Sequence, residues 1–136
     1  MAPVHLSGSY EVKLRVASDR PSANLSVWLV SLPWIDGASI NENIISRGWA
    51  DPQNAASIRT SKELKKGEFV DLTFELQPDD QIIPVGARIG LMVFSSDADF
   101  TLKPEKGTTL LFDLEGCSIT LPVVGGQDAW HAAFEF

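Results

Sequence analysis

Four stretches of this chain alternate apolar and polar residues, and a period of two fits only a strand with one face in a core and the other in water. In residues 10–16, Tyr10, Val12, Leu14 and Val16 share one face, and Glu11, Lys13 and Arg15 share the other. Val70, Leu72, Phe74 and Leu76 alternate in the same way with Asp71, Thr73 and Glu75. Leu110, Phe112 and Leu114 repeat the pattern, as do Cys117, Ile119 and Leu121. Between these runs stand turn-forming clusters: Asp19-Arg20-Pro21, Asp36-Gly37, Lys66-Gly67, Pro78-Asp79-Asp80, Pro84 with Gly86, Pro104 with Gly107, and Glu115-Gly116. No segment keeps a helical period over three turns, and residues 61–66 are expected to form one short helical turn at most. The expected fold is all-β, a sandwich or jelly roll, and the length of 136 residues fits one domain spanning 1–136.

Two further strands are apolar on both sides. In residues 25–32, Leu25, Val27 and Leu29 form one face, while Trp28, Val30 and Leu32 form the other. In residues 89–94, Ile89, Leu91 and Val93 alternate with Gly90, Met92 and Phe94. A two-sheet sandwich buries only its inner faces, so the outer sides of these strands need a cover. One candidate is the weakly patterned connection 33–67, which carries Trp34, Ile35, Ile44, Ile45 and Trp49; the other is a neighbouring domain or subunit. The tail after Gly125-Gly126 carries Trp130, Phe134 and Phe136. Leaving these aromatics in water costs roughly 25 cal/mol per Å², so the tail is expected to be a docking segment or a short extra strand.

Composition closes off several functions. The net charge is −7, with the acidic residues spread along the chain, so it serves solubility. Phosphate neutralisation needs clustered Lys and Arg, but the only basic cluster, Lys62, Lys65 and Lys66, is interrupted by Glu63 and followed by Glu68, so no nucleic-acid partner is expected. No apolar run approaches the roughly 20 residues of a membrane helix, and no membrane partner is expected. The opening MAPVHLSGSYEV lacks the basic start and apolar stretch of a signal peptide, so residue 1 is expected to lie inside a longer polypeptide. The single cysteine, Cys117, excludes an internal disulfide and is expected to be a buried structural thiol.

A search for chemistry finds little. A serine nucleophile needs a base within reach and a group to orient that base. The two histidines, His5 and His131, stand near opposite ends of the chain, and no G-x-S-x-G elbow occurs; Ser7-Gly8-Ser9-Tyr10 lacks the second glycine. No catalytic residue is therefore assigned. Asp97 and Asp99, together with Asp79 and Asp80, are weak calcium candidates, against the simpler reading of Ser95-Ser96-Asp97-Ala98-Asp99 as a polar strand end. No phosphate-cradling loop or dinucleotide fingerprint is present, and no cofactor is expected. Trp34, Trp49 and Trp130 are candidates for stacking on sugar rings, which gives a carbohydrate-binding module as the alternative function.

The segment Ser46-Arg47-Gly48-Trp49-Ala50-Asp51-Pro52-Gln53-Asn54 resembles one in the C-terminal non-catalytic domain of X-prolyl dipeptidyl aminopeptidases, cocaine esterase and α-amino acid ester hydrolases. Further stretches are similar to that domain: Leu14-Arg15-Val16-Ala17-Ser18-Asp19-Arg20-Pro21, Leu76-Gln77-Pro78-Asp79-Asp80, Pro84-Val85-Gly86-Ala87-Arg88-Ile89-Gly90, Ser95-Ser96-Asp97 through Phe100-Thr101-Leu102, and Leu121-Pro122-Val123-Val124-Gly125-Gly126. The resemblance covers residues 8–126 and leaves the role of 127–136 open. It implies a jelly-roll, galactose-binding-like sandwich packed on an α/β-hydrolase catalytic domain of the same polypeptide, which holds the catalytic triad. The domain is then expected to stabilise the catalytic domain, complete one wall of the substrate cleft or mediate homo-oligomerisation. Within the signature, Arg47 suits carboxylates or carbonyls, Gly48 permits close approach or positive φ, Trp49 is an apolar anchor, and Asp51-Pro52 starts a turn. Arg47, Trp49 and Asp51, with Trp28, are the candidate interface or cleft residues, expected on a rigid loop. The alternative is that Arg47 and Asp51 brace that loop internally.

Overall fold

The computed structural model describes residues 2–95 and 106–134. Its spine is β1, Val4–Ser18, whose strict alternation lets one face enter the core along its length. Along one edge β1 pairs antiparallel with β4, Val70–Ile83, from Val4 opposite Ile83 to Val16 opposite Val70. Along the other edge lie two short strands, β6 (Leu110–Phe112) opposite residues 16–18 and β7 (Ser118–Thr120) opposite residues 11–13. The second sheet has β2 (Leu25–Leu32) at its centre, flanked by β3 (Ile44–Ala50) and β5 (Arg88–Phe94), again antiparallel. The two sheets face each other as a β-sandwich, which agrees with the all-β reading. Val4, Leu6, Tyr10, Val12, Leu14 and Val16 of β1 meet Leu25, Val27 and Leu29 of β2 in the core.

Several local expectations are corrected. Pro78-Asp79-Asp80 is not a turn but part of β4, where Gln77 and Pro78 together oppose Ser9 in a β-bulge. An edge strand tolerates proline at such a bulge because no ladder hydrogen bond is lost there. Residues 33–67 are not an unpatterned connection throughout, since their middle supplies β3 after a one-turn helix α1, Ile40–Asn43. Residues 61–65 form no helical turn, within the limit of one expected for 61–66; Lys62 N–H donates to the Gln53 carbonyl (2.8 Å) and Leu64 N–H to the Pro21 carbonyl (2.9 Å). The tail is not a strand: residues 126–134 form α2, Gly126–Phe134, with Trp130 and Phe134 packed on the domain's own core. Cys117 is half-buried instead of buried; its thiol accepts from Arg15 N–H and donates to the Asp113 carbonyl at 3.2 Å.

Tyr10, the only tyrosine in the chain, is buried, and among the described residues its hydroxyl has no hydrogen-bond partner. Burial, reinforced by the charges of Asp79 and Asp80, pushes its pKa up to about 12. The folded state therefore holds the proton over a range in which the unfolded chain, at its ordinary value near 10, releases it. Stability is fully present below pH 10 and falls as pH rises from there to about 12. The loss should be about 3 kcal/mol, at roughly 1.4 kcal/mol per pH unit. Tyr10→Phe is expected to flatten that decline and, by removing an unpaired hydroxyl, to raise stability at pH 7 by roughly 1 kcal/mol. Urea unfolding at pH 7, 10 and 11.5 checks both; a variant less stable than the parent at pH 7 would show that the hydroxyl is satisfied.

Candidate functional site

Strand register decides which of the signature residues share a surface. Directly opposed residues of an antiparallel pair point to the same side. Val27 faces the core, and its partners Gly48 and Val93 lie on the same inner side. Trp28 is opposed by Arg47 on β3 and Met92 on β5, and Ser26 by Trp49 and Phe94, so these six residues form the outer face of the second sheet. The indole of Trp28 meets Phe94 edge-on, with ring centroids 4.8 Å apart. Three of the four expected interface residues are thus brought together, on a strand pair and not on the expected loop.

Asp51 is separate from that face. It follows β3 and caps the 3-10 turn Pro52–Asn54, its carboxylate accepting from Gln53 N–H at 2.9 Å. The Gln53 side chain in turn accepts from Ala23 N–H at 3.0 Å. Asp51 thus caps the turn that follows β3, as its turn-starting chemistry allowed.

Gly48 explains why the signature runs where it does. A Cβ there would lie 2.9 Å from Leu76 Cδ2, 3.1 Å from the Glu75 carbonyl oxygen and 3.2 Å from Leu76 Cα. Close approach, and not positive φ, is therefore what position 48 requires. Here β3 passes against β4 and shuts one flank of the sandwich. Ser46, also buried, donates its hydroxyl to the Gln77 carbonyl across the same seam. A groove of about 340 Å³, lined by Arg47, Gln77 and Asp79, lies on one side of the pinch. Another of about 300 Å³, lined by Trp49, Asn54 and Phe74, lies on the other.

The two sheets differ in their outer faces. The first presents Glu11, Lys13 and Arg15 beside Asp71, Thr73 and Glu75. There Arg15 Nη1 lies 3.2 Å from both Asp71 oxygens and Nε 3.3 Å from Asp113. The second presents Trp28, Val30, Trp49, Met92 and Phe94, with Arg47 and, opposite Leu32, Arg88 as its charged members. Part of that face is sealed by its own side chains, Ser26 and Val30 being buried. Met92 remains 41% exposed, and past the end of β2 so do Trp34 (43%) and Ile35 (55%). Val30, Met92 and Phe94 were absent from the expected site; their signal was the two-sided apolar pattern of β2 and β5.

The three sugar-stacking candidates share no platform. Trp34 lies beyond the C-terminal end of β2 and Trp49 beside the start of that strand. Trp130 is packed in α2 against Phe134, with ring centroids 4.3 Å apart. The calcium candidates Asp97 and Asp99 lie outside the described residues. Among the described residues, no three His, Cys, Asp or Glu side chains are grouped to hold a metal, and no helix is long and apolar enough to cross a membrane.

Comparison with known proteins gives the family of the chain. The sequence model of the X-Pro dipeptidyl-peptidase C-terminal non-catalytic domain matches residues 1–131. A Rhodopirellula baltica protein called "Putative Xaa-Pro dipeptidyl-peptidase" is 62% identical over 125 residues, which cover 90% of this chain and 20% of the relative. A Bacillus cereus protein of the same description is 35% identical over 119 residues, 88% of this chain and 19% of its own length. This chain thus spans about a fifth of these relatives. Among solved structures, an α-amino acid ester hydrolase superposes with a TM-score of 0.71 at 20% identity, over 90% of this chain and 24% of that one. A CocE/NonD family hydrolase from Staphylococcus aureus gives 0.67 at 16% identity, over 90% of this chain and 29% of that one. At such identities the superpositions speak for the fold, while the sequence matches speak for descent. This chain belongs to the family of X-Pro dipeptidyl-peptidase C-terminal non-catalytic domains.

Proposed function

We propose that residues 1–136 form one accessory domain of a larger serine hydrolase that removes X-Pro dipeptides from peptide N-termini, and that the domain supplies no catalytic group itself. Its task is to pack on the α/β-hydrolase catalytic domain through the outer face of the β3-β2-β5 sheet, stiffening that domain and supporting one wall of its cleft. The observation that carries this reading is the contrast between the two outer faces. One is charged, as befits a solvated surface. The other sets Trp28, Met92 and Phe94 beside two arginines, Arg47 and Arg88, the composition of an interface core.

Met92→Glu tests the docking face, because the side chain is exposed in this chain and its replacement costs the domain itself little. If this face docks, the same carboxylate is taken out of water in the full-length polypeptide, a penalty of several kcal/mol. The expected result is that the full-length protein cleaves a Gly-Pro anilide while the 136-residue chain does not, and that Met92→Glu lowers kcat/KM by roughly tenfold or more. Glu75→Ala, on the charged face, should leave the rate unchanged. Equal rates for Met92→Glu and the parent would remove this face from the interface. Cleavage of an aryl ester without cleavage of Gly-Pro anilide would move the parent enzyme to the esterase branch.

A further inference from the structure

Among the described residues the sandwich is closed along one flank and open along the other. On the β3/β4 side, Ile45, Leu72 and Leu76 are buried and the backbones touch at Gly48. On the β5 side the inward-pointing residues stay partly exposed, although each stands opposite a buried core residue. Leu91 opposes Leu29, Val93 opposes Val27, Phe112 opposes Val16 and Ile119 opposes Val12. Leu91 is 36% exposed on the side meant for the core. Among the described residues β5 pairs only with β2, which leaves its outer edge without a partner strand. A regular, apolar, seven-residue edge of this kind is a template for another strand.

We propose that the polypeptide directly preceding β1 runs antiparallel along the free edge of β5 as an added strand, and that its inward side chains close this flank over Leu91. The proposal rests on the accessory-domain reading, in which the remainder of the longer polypeptide lies N-terminal to residue 1. The path follows from the topology. β1 starts at Val4, opposite Ile83, and only the turn 84–87 separates Ile83 from Arg88. The incoming chain therefore reaches the sandwich at the Arg88 end of β5. A strand that finishes at that end runs opposite to β5, in keeping with the antiparallel ladders among the described residues. Crossing from one sheet to the other takes about 10 Å. Three extended residues span about 10 Å, so a connection of a few residues suffices to join the added strand to β1. The segment should alternate apolar and polar residues, with apolar members beside Leu91 and Val93.

The test uses the full-length polypeptide with p-benzoylphenylalanine at Leu91, irradiated and mapped by mass spectrometry. The expected adduct lies within roughly ten residues upstream of residue 1, the length of one strand and its connection. An adduct within residues 95–105, or one joining two polypeptides, overturns the proposal. An adduct far upstream, in the catalytic domain, also overturns it while leaving the accessory-domain reading intact. Loss of Gly-Pro cleavage with the expected adduct present does the reverse. If the Leu91 variant fails to fold, residue-resolved hydrogen exchange on the unaltered full-length protein decides. Every amide from Ile89 to Phe94 should exchange at least ~100-fold more slowly than Gly86, as befits a strand paired on both edges. Alternate amides exchanging at the Gly86 rate would show the edge to be free.

Discussion

Gly48→Val is expected to lower the unfolding free energy by roughly 3 kcal/mol or more, and Gly48→Ala by roughly 1–3 kcal/mol, the range for overpacking a filled core. The reason is that two of the three atoms a Cβ would strike are backbone, the Glu75 carbonyl oxygen and Leu76 Cα. A side-chain tip can rotate away, whereas a strand held by twelve register pairs to β1 moves only by parting the two sheets. Gly90→Ala is the matched control in the same sheet. A Cβ at position 90 meets only the side chains of Leu32 and Val30, so it should cost less than Gly48→Ala. Urea midpoints of the three variants check the ordering. Equal midpoints for Gly48→Ala and Gly90→Ala would mean that the β3/β4 seam is looser than drawn.

Trp130→Ala is expected to cost roughly 2–4 kcal/mol, somewhat below the usual penalty for a fully buried aromatic because the indole is only partly covered. Trp130 and Phe134 sit one helical turn apart, and with buried Ala133 they roof the core near Leu6, which is bridged by Val123 just before the helix. Gly125 and Gly126, at φ +86° and +64°, let the chain turn from that bridge into the helix. Removing the indole opens the end of the core and leaves Phe134 without its ring partner. Trp130→Phe should recover much of the loss, since a smaller aromatic still packs there. Thermal unfolding followed by circular dichroism reads both variants. A Trp130→Ala protein as stable as the parent would show that α2 contributes nothing to the core.

The residues themselves determined the strands that carry the domain. Tyr10 to Val16 and Val70 to Leu76 alternate because each lies between a filled core and water, and that boundary writes a period of two into the sequence. The double-sided apolar pattern of β2 and β5 likewise announced that the second sheet has no simple wet face. Tertiary structure alone decided the rest. β3 was hidden because its inward positions include Ser46 and Gly48, small residues demanded by contact with β4, so no hydrophobic alternation marks the strand. The Pro78 segment read as a turn because proline and two aspartates break most strands, yet at a bulged edge they lose no ladder bonds. The tail helix was illegible because nine residues give little more than two turns, and its apolar stripe is partly alanine. Which face is outer, and that Arg47 and Trp49 lie beside Trp28 while Asp51 does not, depends on strand register. Register is set by pairing between distant residues, which the order of residues within any one strand does not encode.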